Sequence, residues 1–236
     1  MLGTEMASLT WLGHAAFRLE SGRGKRIYVD PFLNGNPSTP ESELTPERVD
    51  IIAVTHGHSD HTGDTVALSQ AFPEAAIVAQ VEVKSWLEGQ GAHMRDQLPG
   101  INKGGTQEID GIRFTLTDAR HSSSSHDGAY LGESCGLVIR LEDGNTIYFS
   151  GDTCVFGDMA LIGRIYKPDV VVLPIGDWFT MGPTEAAVAL ELLGNPRCVP
   201  SHWGTFGLLT GTPGELARLA PAAVVEQLAP GDSIEL

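Results

Sequence analysis

The chain has 236 residues, and its 15 Lys and Arg against 30 Asp and Glu leave a formal net charge of -15. Such an acidic balance argues against nucleic acid as a partner, because affinity for it rests on neutralising phosphates with clustered Lys and Arg. No apolar run approaches the roughly 20 residues that a bilayer-spanning helix needs, so membrane insertion is not expected.

The opening Met1-Leu2-Gly3-Thr4-Glu5-Met6 lacks a basic stretch and a long apolar core, so no secretory signal is expected there. Strands are expected to cluster near residues 8 to 30, followed by a surface loop from Phe32 to Pro46, which is rich in Pro, Ser and Asn. From 50 to about 90 the pattern reads strand, helix, strand, helix. The second half repeats that idea, with strands at 112, 137, 146, 170 and 198 and amphipathic helices near 157 to 166, 183 to 193 and 213 to 220. A second surface loop is expected from Ser122 to Gly132. The 28 Gly and 14 Pro are spread among short connections, and no Pro/Gly/Ser-rich linker divides the chain, so residues 1 to 236 are expected to form a single domain. Cys135, Cys154 and Cys198 are far apart and form no C-x-x-C pair, which argues against a disulfide framework and for a reducing cytoplasm.

The most informative segment is Thr55-His56-Gly57-His58-Ser59-Asp60-His61, which gathers metal-ligand residue types just after an apolar run. Neutral imidazoles and a carboxylate suit zinc and its divalent neighbours. Residues two apart on an extended segment point to one side, so His56 and His58 can chelate one ion while Asp60 and His61, beyond the bend, address a second. Further ligand types stand where apolar strands stop: His121 after Ile112 to Thr117, Asp152 after Thr146 to Ser150, and His202 after Cys198 to Ser201. Strand ends are where α/β layers place their chemistry.

With these motifs in that order, the chain resembles the metallo-β-lactamase-fold hydrolases over nearly its whole length. The resemblance implies an α/β fold, a four-layer αβ/βα sandwich of two sheets face to face with helices outside. It also implies a two-ion site in which His56, His58 and His121 hold one divalent ion and Asp60, His61 and His202 the other, with Asp152 bridging them. Zinc or manganese is the expected metal, with nickel, iron or cobalt as alternatives. Trp11-Leu12-Gly13-His14-Ala15-Ala16-Phe17, Val29-Asp30-Pro31-Phe32, Met181-Gly182-Pro183-Thr184-Glu185-Ala186-Ala187 and His202-Trp203-Gly204-Thr205-Phe206 look like a widespread metal-dependent hydrolase branch. That branch is similar to the L-ascorbate-6-phosphate lactonases and, more distantly, to the N-acylphosphatidylethanolamine phospholipase D enzymes. Trp203 departs from it where Tyr is expected, as does Asp177-Trp178 where smaller or more polar residues are.

The expected activity is hydrolysis, by metal-activated water, of a small ester, lactone or phosphodiester, in a cytoplasmic protein that is a homo-oligomer. Asp60 is expected to orient the water or take its proton, and His14 stands beside it as a catalytic candidate, balanced against a buried hydrogen-bonding role. Asp30 is a candidate acceptor for a ligand imidazole or a structural strand-ending aspartate. Trp178 and Trp203 are expected as substrate walls and Phe179 and Met181 as further rim residues, Phe206 as core, and Arg120 as a partner for a substrate anion or for a surface ion pair. His93 and His126 are read as surface and loop residues, and Cys154 as a packed small residue. Alternatives are a phospholipase D-like phosphodiesterase, a di-iron redox protein or a metal-binding protein. The form H-x-H-x-D-H rather than H-x-E-x-D-H argues against the redox reading.

Overall fold

The computed structural model describes residues 6 to 236. The opening residues 1 to 5, on which the reading of no secretory signal rests, lie outside the described residues. Short strands carry the architecture, and the central ones of the first sheet are apolar on both faces, with successive side chains pointing to opposite sides. In β3 (Arg26–Val29), β4 (Ile51–Ala53) and β5 (Ala76–Val78), the residues Ile27, Val29, Ile51, Ala53, Ala76 and Val78 face one cluster, while Tyr28, Ile52 and Ile77 face another.

Two six-stranded mixed sheets result. The first adds β1 (Ser8–Trp11), β2 (Phe17–Glu20) and β12 (Ser233–Glu235) in the order β12-β1-β2-β3-β4-β5. The second runs β11-β10-β9-β8-β7-β6, built from β6 (Thr106–Ile109), β7 (Ile112–Asp118), β8 (Cys135–Arg140), β9 (Thr146–Phe149), β10 (Val170–Pro174) and β11 (Arg197–Ser201). Their inner faces share one core, where Leu9, Phe17 and Leu19 meet Phe114, Leu137 and Phe149; the rings of Phe17 and Phe149 meet edge to face, 5.6 Å apart.

Helices cover the outer faces. The helices α1 (Ser59–Thr62), α2 (Thr65–Ala71) and α3 (Val81–Gly89) lie on the side of the first sheet, where Leu68, Val83 and Leu87 pack against Tyr28, Ile52 and Ile77. The helices α4 (Met159–Tyr166), α5 (Pro183–Leu193) and α6 (Pro213–Leu219) supply Met159, Ile162, Leu190 and Leu216 to the second, against Tyr148, Val171 and Cys198. The order helix, sheet, sheet, helix is the expected four-layer sandwich.

Strand direction then fixes where chemistry can gather. In the first sheet β1 and β3 are both antiparallel to β2, and β4 is parallel to β3, so β1, β3 and β4 point the same way. In the second, β7 and β9 are both antiparallel to β8, and β11 follows β9 through parallel pairings with β10. The C-terminal ends of these six strands carry His14, Asp30, the 56 to 61 segment, His121, Asp152 and His202.

The expected loops hold no strand or α-helix, the first containing one 3-10 turn at Glu41–Glu43, and both are anchored. Glu43 is buried and accepts from the Tyr28 hydroxyl at 3.2 Å, while Ser123 is buried and accepts from the Gly57 backbone N–H at 3.1 Å. All three cysteines are free; Cys154 is exposed rather than packed. His93 and His126 stay apart from the strand-end residues, with His126 edge-on to Trp86 at 6.3 Å. Among the described residues no helix is long and apolar enough to cross a membrane.

Candidate metal centre

The 55 to 58 stretch after β4 is bent, with His58 itself extended at φ -65 and ψ 149, and α1 begins at Ser59, so His56 and His58 precede the helix while Asp60 and His61 stand on it. The ring nitrogens His56 Nε2 and His58 Nδ1 are 2.9 Å apart, and His121 Nε2 is 3.3 Å from the same His58 atom. Nitrogens bound tetrahedrally at about 2.0–2.1 Å from zinc are about 3.3 Å apart, so this spacing fits a shared cation. The sequence grouping of His56, His58 and His121 is thus reproduced in space.

The remaining donors converge on Asp152. Its Oδ2 lies 3.2 Å from His202 Nε2, 3.4 Å from His61 Nε2, 3.6 Å from His121 Nε2 and 4.0 Å from His56 Nε2. One oxygen therefore stands between both groups of histidines. Asp60 Oδ2 is 3.5 Å from His202 Nε2 and 3.9 Å from His61 Nε2. The tight clusters divide the second set differently from the sequence expectation: His61 joins His56 and Asp152, whereas Asp60 and His202 are joined by His14.

Glycine permits the approach of Asp152. Gly151 has φ +61, and a Cβ there would come within 2.4 Å of the Cys135 carbonyl oxygen. A side chain at 151 would push the Asp152 backbone away from β8.

Hydrogen bonds fix which nitrogen of each ring faces the centre. Asp30, at φ 47 just after β3, is buried and accepts from the Thr55 N–H at 2.8 Å, the Thr55 hydroxyl at 2.7 Å and His61 Nδ1 at 2.8 Å. The Thr55 hydroxyl in turn lies 3.1 Å from His56 Nδ1. With both Nδ1 atoms committed outward as donors, Nε2 of His56 and of His61 is the nitrogen turned toward the centre. This carboxylate is the acceptor for a ligand-type imidazole that its place in the sequence suggested. We expect Asp30→Ala to weaken metal affinity about 10–100-fold, the usual effect of losing such a partner; competition with a chromogenic chelator measures it, and Thr55→Val should show a smaller loss.

His14 is fully buried, at φ 53, and its Nε2 lies 3.0 Å from Asp60 Oδ2. Its Nδ1 meets the Thr205 hydroxyl at 3.1 Å, and its carbonyl accepts from Trp11 Nε1 and from the His202 N–H, each at 2.9 Å. It braces Asp60 and His202 from behind.

Electrostatics favour a cation here. Burial works against ionised Asp152, but His202 and His61 hold its carboxyl well below the usual carboxylate range. Burial likewise opposes charge on His202, yet Asp152 wins and pushes it up to about 9; His61 is raised for the same reasons. His56, farther from a carboxylate, is driven well below the usual histidine value by burial and by His61. His61 Nε2 and His202 Nε2 are buried without a hydrogen-bond partner, an arrangement that is costly unless something occupies the space they face. A divalent ion satisfies them, and the donor set of imidazoles and carboxylates fits it.

The centre opens into a cleft of about 580 Å³ whose lining includes His58, Asp60, Asp152, Phe179, Phe206 and Leu208. Several side chains depart from expectation. Trp203 is half-buried, stacked on Trp11 at 5.1 Å and 20°, and donates to the Pro200 carbonyl at 3.3 Å, so it belongs to the frame and not to the wall. Trp178 is 69 % exposed, at φ 61, outside the lining. Met181 is core, whereas Phe206, expected as core, is 42 % exposed and lines the cleft. Arg120 turns away, lying over Phe156 at 5.3 Å. Sequence reasoning missed Thr55, Ser123 and Thr205, because a lone hydroxyl residue carries no spacing signal.

Comparison with known proteins gives the same family from three directions. A sequence model for a β-lactamase superfamily domain matches residues 25–203. A metal-dependent hydrolase of Herpetosiphon aurantiacus is 47 % identical over 234 residues, 96 % of each chain. Another from Methanosarcina mazei is 45 % identical over 239 residues, covering 97 % of this chain and 98 % of its own. The solved structure of Igni18, a metallo hydrolase of the archaeon Ignicoccus hospitalis, superposes with a TM-score of 0.85 at 30 % identity, covering 98 % and 99 % of the two chains. The chain therefore belongs to the β-lactamase superfamily, as a metal-dependent hydrolase with the metallo-β-lactamase fold.

Proposed function

We propose that the protein is a dinuclear hydrolase acting with metal-activated water on a small ester, lactone or phosphodiester. The observation that carries this reading is Asp152 Oδ2, within 4.0 Å of Nε2 on His56, His61, His121 and His202 and so placed between two groups of ligand nitrogens. His56, His58 and His121 would hold one ion, and Asp60, His61 and His202 the other, with Asp152 contacting both. Zinc or manganese suits these donors. Two adjacent divalent ions lower the pKa of water toward neutrality and polarise a carbonyl or phosphoryl oxygen.

The chain's own residues supply orientation and proton transfer. Asp60 fronts the cleft, and its carboxylate accepts a proton from the attacking water and returns it to the leaving group. His14 acts as a positioning residue, since its contact is with the Asp60 carboxylate and its side chain is closed off from the cleft. Both sheets contribute to the centre, which supports treating the chain as one domain.

Elemental analysis of gently purified protein should give close to two divalent ions per chain. Chelated protein should lose activity toward a panel of chromogenic esters, lactones and phosphodiesters and regain it on reloading with zinc or manganese. A saturating content of one ion or none would sink the dinuclear reading.

A further inference from the structure

The cleft beside the centre differs in character from the rest of this acidic surface. Phe179, on the loop after β10, is 53 % exposed, and Phe206 and Leu208, on the loop after β11, are 42 % and 47 % exposed. With Phe32 they line the same cleft as Asp60 and Asp152. Apolar side chains from separate loops gathered at a polar centre mark a binding wall, since scattered exposure would place them anywhere.

No Lys or Arg is found in that lining among the described residues. The nearest basic residue in sequence, Arg120 beside His121, instead lies over the Phe156 ring and faces Asp118 at 4.0 Å. Polar groups of the wall outside the metal centre reduce to Ser59 and Ser122. A substrate's charged substituent would meet no countercharge beyond the ions, whereas an apolar substituent would cover exposed ring and methyl surface. Removing such surface from water is favourable in proportion to its area.

We infer that the cleft takes neutral carboxylic esters or lactones carrying an apolar group, seated on Phe32, Phe179, Phe206 and Leu208. The inference rests on the hydrolase reading above and narrows its substrate class. In the reaction the water oxygen bonds to the acyl carbon as the acyl C–O bond breaks. The proton accepted by the Asp60 carboxylate passes to the departing alkoxide, so an ester gives a carboxylic acid and an alcohol and a lactone gives one hydroxy acid.

The test uses metal-loaded protein with p-nitrophenyl acetate, butyrate and hexanoate, and with the mono-p-nitrophenyl ester of adipic acid, which has the chain length of hexanoate but ends in a carboxylate. We expect kcat/KM to rise about fourfold for each methylene that reaches the wall, and the adipate ester to fall at least about tenfold below hexanoate because its charge is unpaired there. Phe179→Ala and Leu208→Ala, both at exposed positions, should each shrink the hexanoate-to-acetate ratio several-fold with metal content retained. Metal-dependent turnover with no dependence on chain length, with equal or faster cleavage of the adipate ester, or with ratios unchanged in both variants would overturn this inference alone. Absence of metal-dependent turnover of every ester here, and of the lactones in the wider panel above, would overturn it together with ester and lactone hydrolysis as the activity.

Discussion

Replacing Asp152 by Ala should lower kcat/KM by about a thousandfold or more, and replacing His14 by Ala by only about 10–100-fold. Asp152 Oδ2 faces four imidazoles, so its loss removes a donor from both groups and leaves His61 and His202 without the buried carboxylate that offsets their crowding. The His14 ring hydrogen-bonds only with Asp60 and the Thr205 hydroxyl and packs 4.0 Å from the His202 ring, so what it controls is the placement of Asp60 and His202. The two variants should also differ in composition: Asp152→Ala should lose bound ions, while His14→Ala should keep them. Steady-state kinetics with elemental analysis on the same samples separates the roles. Equal activity losses with metal retained in both would place His14 in the catalytic machinery itself. His14→Gln, which keeps a hydrogen-bond donor near Asp60, should recover part of the activity under the positioning role.

Much of this centre is legible in the sequence because its parts obey local rules. A strand end is announced by an apolar run that stops, and a ligand-type residue directly after it is already placed at the edge of a sheet; His121, Asp152 and His202 each follow that rule. The 56 to 61 segment is legible for a second reason, the spacing of two between His56 and His58, whose ring nitrogens do meet at 2.9 Å although the backbone there is bent and not a regular strand. Where neither rule operates, the sequence is silent. The strand β12 consists of Ser233, Ile234 and Glu235, and it exists because Ile234 lies against Leu9 at the other end of the chain. The strand β6, Thr106–Ile109, is mostly exposed and carries no apolar alternation, and it is held by its pairing with β7 and by Ile109 alone reaching the core. In both cases a distant or adjacent partner supplies what local pattern lacks.

The same distinction explains the errors around the cleft. Trp178 and Trp203 are the side chains that sequence position recommends, being next to signature loops, but position along the chain does not fix which way a side chain turns. A non-glycine residue with positive φ reverses the local direction of the backbone, and Asp177 and Trp178 do so in succession, at φ 65 and 61. Phe179, one residue later, lines the cleft, and Trp178 is left outside it. His14, Asp30 and His202 share that left-handed backbone at 53, 47 and 54. Such conformations cost about 1–3 kcal/mol each and persist where surrounding structure over-determines them, often at functional sites. Here the determinants are visible: the His14 carbonyl accepts from the His202 N–H at 2.9 Å, and Asp30 is held by Thr55 and His61.

Removal of the ions should lower thermal stability by a large and reversible amount. An ion that binds only the folded chain stabilises it by RT ln(1 + [L]/Kd), about 4 kcal/mol when its free concentration is a thousand times Kd. For a chain in the range of about 150–250 residues each kcal/mol moves Tm by about 2–4 °C, which predicts a fall of about 8–16 °C on chelation. The structural reason is local: the buried Nε2 atoms of His61 and His202 make no well-aligned hydrogen bond and share one carboxylate oxygen, Asp152 Oδ2, at 3.4 and 3.2 Å, and the nitrogens of His56 and His58 face one another at 2.9 Å. Scanning calorimetry of the protein as purified, after chelation and after reloading should show Tm fall and return. The Asp30→Ala variant, with weakened ion binding, should show a smaller gap between loaded and chelated protein at the same metal concentration. An unchanged Tm in the parent protein, with ion loss verified by elemental analysis, would mean that protein contacts alone hold the histidines together, and the coupling between ion binding and folding proposed for this centre would be wrong.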